Sequence, residues 1–217
     1  MKLNKETLAM QIYNDMKEQI VLGKIPSGQK VTIQDLQDWY QVSSTPAREG
    51  LKFLGNDGLV KIITNTGAYV SDFTLKESLD IHDLASLLDC YAVEEALRVA
   101  DREELIEKLE VALVKHKEDD ETNSLARQFY DNYFHNAFFE FVTNGRILAI
   151  KERNRSEFAI VVFKARYNRV SYDSQQEHQA VLDAIKAGYD ELAVKKMREH
   201  FEHGKQRLLE YYKKSKF

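Results

Sequence analysis

The chemistry in this chain is carried by imidazoles. Its six histidines are His82, His116, His135, His178, His200 and His203. His135 follows Asp131 by four residues, so on a helix the carboxylate and the ring project from one face about a turn apart. His178 and His200 each lie eleven residues from Tyr189, beside a helix-ending Gly188. If two antiparallel helices meet there, both rings stand at the same height, roughly 16 Å from the turn at 1.5 Å of rise per residue. Three imidazoles and one carboxylate suit a first-row divalent ion, with positions left for water or a ligand. Zinc, nickel, manganese and iron all accept that donor set. Partly exposed helix histidines beside a surface carboxylate would show the same spacing, so spacing alone leaves both readings open.

The elements that must hold these residues are helices. Thr74-Leu75-Lys76-Glu77 is a capping box just after the junction at Phe73–Lys76. Six helical segments are predicted beyond it, at 75–100, 102–118, 124–143, 145–167, 174–187 and 190–213. Asp101 with Glu104 and Ser174 with Glu177 form further capping boxes, while Asn144-Gly145 and Gly188 mark helix ends. Reflecting His135 through Asn144-Gly145 sets it level with Arg153, Asn154 and Arg155. Those residues could give a cation or an amide to a carboxylate held at a metal. A solvated helix face is the other reading.

Upstream the pattern is different. Leu8, Ile12, Met16 and Ile20 form a stripe on a helix predicted over Asn4–Leu22, and Thr32 caps a second over Ile33–Tyr40. A third opens at Ser43, Ser44, Thr45 and Pro46 and ends at Asn56-Asp57-Gly58. Leu51, Phe53 and Leu54 can face a core, leaving Arg48, Glu49 and Lys52 outward. Two strands, Leu59–Ile63 and Ala68–Ser71, then close a hairpin through Thr64-Asn65-Thr66-Gly67. A capped helix followed by a small wing is how a winged helix-turn-helix reaches a DNA major groove.

Charge qualifies that reading. Residues 1–72 hold eight basic and eight acidic side chains, leaving 23 basic and 27 acidic downstream, for a net charge of −4. Attraction to phosphate must therefore come from local placement of residues such as Lys30, Arg48, Lys52 and Lys61. No apolar run approaches the roughly 20 residues that span a bilayer, and the N-terminus lacks the apolar segment of a signal peptide. A single cysteine, Cys90, excludes an internal disulfide and fits a reducing cytoplasm.

The first 72 residues resemble the DNA-binding domain of the GntR family of bacterial transcription regulators. The resemblance rests on Gly23, Pro26, Gly28, Leu36, Val42-Ser43, Thr45-Pro46, Arg48-Glu49, Leu51, Leu54, Asp57-Gly58-Leu59-Val60, Gly67 and Tyr69-Val70-Ser71. It implies DNA contacts at Ser44, Thr45, Arg48 and Lys52, with the wing tip Asn65–Gly67 in the minor groove. Two positions depart: Ser44 stands where the family commonly has a guanine-reading arginine, and Gly50 where it has alanine. A lost bidentate contact removes about 1–3 kcal/mol of base discrimination, so the preferred operator should differ from the usual one. The helical remainder resembles the FCD effector domain of the same regulators, in its shorter six-helix, VanR-like form. Metal-binding FCD domains carry an Asp-x3-His pair and two later histidines, which implies a divalent ion, zinc first, at Asp131, His135, His178 and His200. The other three histidines match nothing and are expected at solvated or core-edge positions. Cys90 replaces an arginine that often binds an organic acid, and a soft ligand or thiol sensor and a buried small hydrophobe are its two readings; with Arg153 and Asn154 it makes the candidate effector contacts.

The sequence therefore predicts a mainly α protein. It has a winged helix-turn-helix over residues 1–73 and an all-helical bundle over 74–217. The expected activity is that of a cytoplasmic, homodimeric regulator, usually a repressor, of a palindromic DNA operator. A small-molecule effector, an organic acid by resemblance, and a metal would control it, with no membrane partner. A metal-dependent hydrolase or lyase and a regulator with a purely structural metal are the alternatives.

Overall fold

A computed structural model of the chain describes residues 6–64, 66–119, 126–166 and 174–214. Asn65 lies outside the described residues, as do the side chains of Asp131 and His116.

Helix α1 (Leu8–Val21) starts where the Thr7 hydroxyl accepts from the Met10 N–H, satisfying an orphan donor of the first turn. That is later than the expected Asn4, and the buried stripe shifts with it. Ala9, Ile12, Met16 and Ile20 are buried, whereas Leu8 is 54% exposed. Helix α2 (Ile33–Tyr40) opens with a reciprocal capping box between Thr32 and Asp35. Its end turns through Gln41 at φ 51 into α3 (Ser44–Asn56). Because α3 begins at Ser44, Pro46 sits third in the helix, still inside the first turn where its missing N–H costs no intrahelical bond. Ala47, Gly50, Leu51 and Leu54 face inward. Here α1 passes so close that a Cβ on Gly50 would meet Ile12 Cγ2 at 2.9 Å.

The wing is β2 (Val60–Ile63) paired antiparallel with β3 (Gly67–Val70). A short β1 (Lys30–Val31) adds to the other edge of β3, giving the order β1-β3-β2. The sequence does not announce β1, since two residues cannot display a strand's alternation.

Six helices follow among the described residues: α4 (Leu75–Val99), α5 (Arg102–Asp119), α6 (Ala126–Phe139), α7 (Gly145–Arg166), α8 (Ser174–Lys186) and α9 (Asp190–Lys214). The capping box at Thr74 and Glu77 is formed in both directions. Asp101 Oδ1 accepts from the N–H groups of Glu103 and Glu104. Helix α6 stops short of the expected residue 143 because Phe141 and Val142 hydrogen-bond three residues back, in a tighter turn.

Two apolar cores result. One lies inside the helical bundle, around Val93, Leu109, Phe134, Phe138, Leu182, Ile185 and Met197. The other, around Ile12, Met16, Leu36, Leu54 and Leu59, belongs to the N-terminal unit but also takes in Ile81, Ile160, Val161 and Leu208. The two units therefore share buried surface. Truncating one of these fully buried residues, such as Leu54 or Met197, to alanine costs about 2–5 kcal/mol.

Candidate metal centre and nucleic-acid interface

His135 on α6, His178 on α8 and His200 on α9 offer nitrogens that all lie within 4.8 Å of one another. Buried Val181, Leu182 and Ile185 face buried Ala193, Met197 and Phe201, which closes the α8–α9 hairpin around Gly188. The hairpin brings the His178 and His200 rings to 4.7 Å, as reflection about the turn predicts. His135 completes the set at 4.9 Å from His178 and 5.2 Å from His200. Phe134 stacks on His178 at 4.4 Å and holds its plane. Asp131 lies on α6 one turn before His135, and its side chain is outside the described residues.

The hydrogen bonds fix which nitrogens face inward. Asp89 Oδ1 lies 2.6 Å from His135 Nδ1, and Glu177 Oε2 lies 2.7 Å from His200 Nδ1. A carboxylate only accepts, so both rings donate from Nδ1 and turn Nε2 toward the cluster. Carboxylates oriented in this way are the usual outer support of metal-bound histidines. His178 Nε2 lies 3.1 Å from His135 Nε2. Two nitrogens on one tetrahedral zinc at 2.0–2.1 Å sit about 3.3 Å apart, so the pair is already near that spacing. Burial pushes His200 down to about 4, against the attraction of Glu177, so the ring is neutral and able to ligate at pH 7. Burial alone would raise Glu177, but hydrogen bonds from His200 and His203 outweigh it and hold the carboxyl below its usual range. The residues fit a divalent ion.

Beside the cluster is a cavity of about 110 Å³ lined by residues of α4, α6, α7 and α9. His135 and His200 form one end. Lys151, Arg155 and Arg207 contribute three cations, against a single carboxylate, Asp89, already bonded to His135. Lys151 lies 3.7 Å from the Phe139 ring centre and donates to Asn136 Oδ1. Burial lowers both Lys151 and Arg207, which is the cost of keeping cations in a partly apolar pocket. The arrangement suits an anionic guest.

The three expected effector contacts fare differently. Asn154 lines the cavity, and its amide also donates to the Ile81 carbonyl at 3.3 Å, anchoring α7 to α4. Arg153 is exposed and outside the cavity wall, while Arg155 is in it. Reflection through a turn gives height along a helix but not the face, and adjacent residues differ by about 100°. Cys90 does not line the cavity either. It is buried in the bundle core, where burial raises its thiol and Arg198 opposes the shift. The sequence reading missed Asp89, His82, Lys151 and Arg207, and the support that Glu177 gives to His200. His82 is not at an edge: it is 4% exposed, packs against Phe158 and Phe201, and fits only because Gly204 has no side chain. Its seven-residue spacing from Asp89, two turns along one face, is the signal that could have found both. His203 is exposed and donates to Glu177.

On the N-terminal unit, Ser44, Thr45, Arg48 and Lys52 are all exposed along α3, opposite the face that buries Ala47, Leu51 and Leu54. Gly67 turns the wing at φ 127, where a Cβ would also press Lys30 Cε at 3.0 Å.

A winged helix-turn-helix is thus joined to an all-helical bundle with an inward-facing histidine cluster. Residues 8–70 match the family model of bacterial regulatory proteins, gntR family, and residues 80–203 match the FCD domain. The chain belongs to the GntR family of DNA-binding transcription regulators and carries the FCD effector-binding domain. It is 26% identical to the HTH-type transcriptional regulator YdhC of Bacillus subtilis, over 93% of this chain and 92% of that one. It is 24% identical to the gluconate operon transcriptional repressor of Bacillus licheniformis, over 92% and 84% respectively. Among solved structures, E. coli McbR/YncC superposes with a TM-score of 0.76 at 19% identity, covering 95% of this chain and 99% of that one. A GntR regulator from Rhodococcus sp. RHA1 does so at 0.74 and 20%, covering 93% and 97%. These structures share the fold. The family and its relatives are regulators rather than enzymes, which sets aside the hydrolase or lyase alternative. Among the described residues, no helix is long and apolar enough to cross a membrane.

Proposed function

We propose that the protein acts in the cytoplasm as a homodimeric repressor of a palindromic operator, released or retained by an anionic small molecule. In this reading residues 1–73 read DNA, and residues 74–217 hold the metal, the effector and the pairing surface. Asp131, His135, His178 and His200 ligate one divalent ion, zinc in the first instance, with nickel, manganese or iron as alternatives. Bound there, the ion supplies a Lewis-acidic position for an oxygen of the effector. Lys151, Arg155 and Arg207 take up the effector's negative charge, and Asn154 offers its amide. Ser44, Thr45, Arg48 and Lys52 meet the major groove, with Asn65 and Gly67 at the minor groove. The observation that carries the proposal is the meeting of three imidazole nitrogens within 4.8 Å beside a cavity with three cations.

Metal analysis of purified wild type and of His178→Ala/His200→Ala tests the centre, with one ion per chain expected in the first and none in the second. Unchanged metal content in the double variant would end the claim. A thermal-shift screen with small organic acids, gluconate among them on the strength of the similar repressors, tests the effector class. A purely structural ion is favoured by the complete burial of His178. That reading predicts metal-dependent stability with no acid shifting the melting temperature.

A further inference from the structure

We propose that α7 carries the state of the cavity to the DNA-reading helix through a latch at Asp57, with Asp57 and Ser156 as positioning residues. The inference rests on reading the cavity as the effector site. Arg155 lines that cavity, and its neighbour Ser156, about 100° round the helix, is 1% exposed and faces the other way. Ser156 Oγ donates to Asp57 Oδ2 at 3.2 Å. Asp57 is the C-cap of α3, the helix that presents Thr45 and Arg48. The same carboxylate accepts from Tyr13 Oη and pairs with Lys17 at 3.6 Å, both on α1. One residue further along each chain segment, Glu157 covers Gly58 so closely that a Cβ there would collide with its carboxylate, and Gly58 holds φ +70. Three helices thus meet on one acidic side chain at the end of the reading helix.

Beyond the latch, the wall is one side chain thick. Phe158, Ala159 and Leu208 line the cavity and also pack against the N-terminal core, while Ile160 and Val161 lie inside that core. Close-packed interiors shift between discrete arrangements rather than deforming continuously. A guest that displaces Arg155 or Phe158 therefore moves the turn of α7 that holds Ser156 and Glu157. Apolar contact keeps the two units together but has no direction, whereas the hydrogen bond to Asp57 does, and so sets how α3 is aimed.

The test needs no effector. The probe is a DNA duplex selected by the wild-type protein from a random pool, and Ala85→Leu fills the cavity from α4. Ala85 lines the cavity and packs in the bundle core rather than the N-terminal one. Ala85→Leu should shift duplex affinity at least fivefold in the wild-type background and less than twofold in Asp57→Asn/Ser156→Ala. Equal shifts in both backgrounds, or none in either, overturn the latch, provided circular dichroism and metal content show folded protein. If Ala85→Leu does not fold, Asn136→Leu on the α6 wall runs the same cycle with the same criteria. Wild type that binds neither metal nor any screened acid would defeat the proposed effector site, and the cycle would still decide the latch by itself.

Discussion

The reading helix and the imidazole cluster gather their residues in opposite ways. Ser44, Thr45, Arg48 and Lys52 lie within nine residues of one helix and are all exposed. The cluster takes one ring from each of α6, α8 and α9, and His178 is completely buried. A face on one helix needs only that helix and its cap, whereas a cluster from three helices exists only once the bundle core has closed. The first should tolerate loss of the second, and substitutions can separate them.

The largest separation is expected from His178→Ala/His200→Ala. An ion present at 100 to 1,000 times its dissociation constant stabilises by about 3–4 kcal/mol. Losing it should lower the melting temperature by about 10 °C for a chain of this size. Calorimetry of wild type and variant in the presence of zinc measures this, and chelation should lower wild type while leaving the variant unchanged.

Next is Arg48→Ala, which should weaken binding to the selected duplex by about 1–3 kcal/mol, roughly 5- to 150-fold, and relax base preference at one position. Metal content should not change. A loss of metal in this variant would break the comparison.

A smaller effect comes from pH. Burial pushes His82 down to about 4, opposed by Asp83 and assisted by His200, Lys205 and Arg207, while the unfolded ring stays near 6.5. The folded value lies below the unfolded one, so between them the unfolded chain binds the extra proton. Stability is therefore complete above about pH 6.5 and falls as pH drops toward 4. For chelated protein at pH 5.5 the loss from His82 is about 1 kcal/mol. His82→Phe, which keeps a ring between Phe158 and Phe201, should reduce the fall in stability measured by urea unfolding across that window, with the remainder left to His200.

Lys52→Ala should change least. A phosphate contact carries no sequence information, so binding should weaken a few-fold on every duplex. The salt-dependence slope should fall by about 1.

Much of this could be read from the chain, and the exceptions have causes. The caps at Thr32 and Thr74 are local and set their helix starts directly. The meeting of His178 and His200 follows from counting either side of Gly188-Tyr189. The sequence reading chose Arg153 where the structure sets Arg155 in the cavity wall, because α7 is covered on two sides. The bundle packs on one and the N-terminal core, through Ile160 and Val161, on another, so the helix shows no single apolar stripe from which to read its phase. Cys90 occupied the place of an effector-binding arginine in the pattern, but its side chain fell in the core. The partner Asp89 had no motif of its own and Glu177 was read as a capping-box residue, since a carboxylate that orients a ring is identified only when the ring's position is known.

The most direct test of the account is anomalous diffraction at the zinc edge from crystals of the zinc-loaded protein. The account predicts one peak per chain, about 2.0–2.1 Å from Nε2 of His135, His178 and His200 and in reach of the Asp131 carboxylate. A peak bound by other residues, or none, would contradict it.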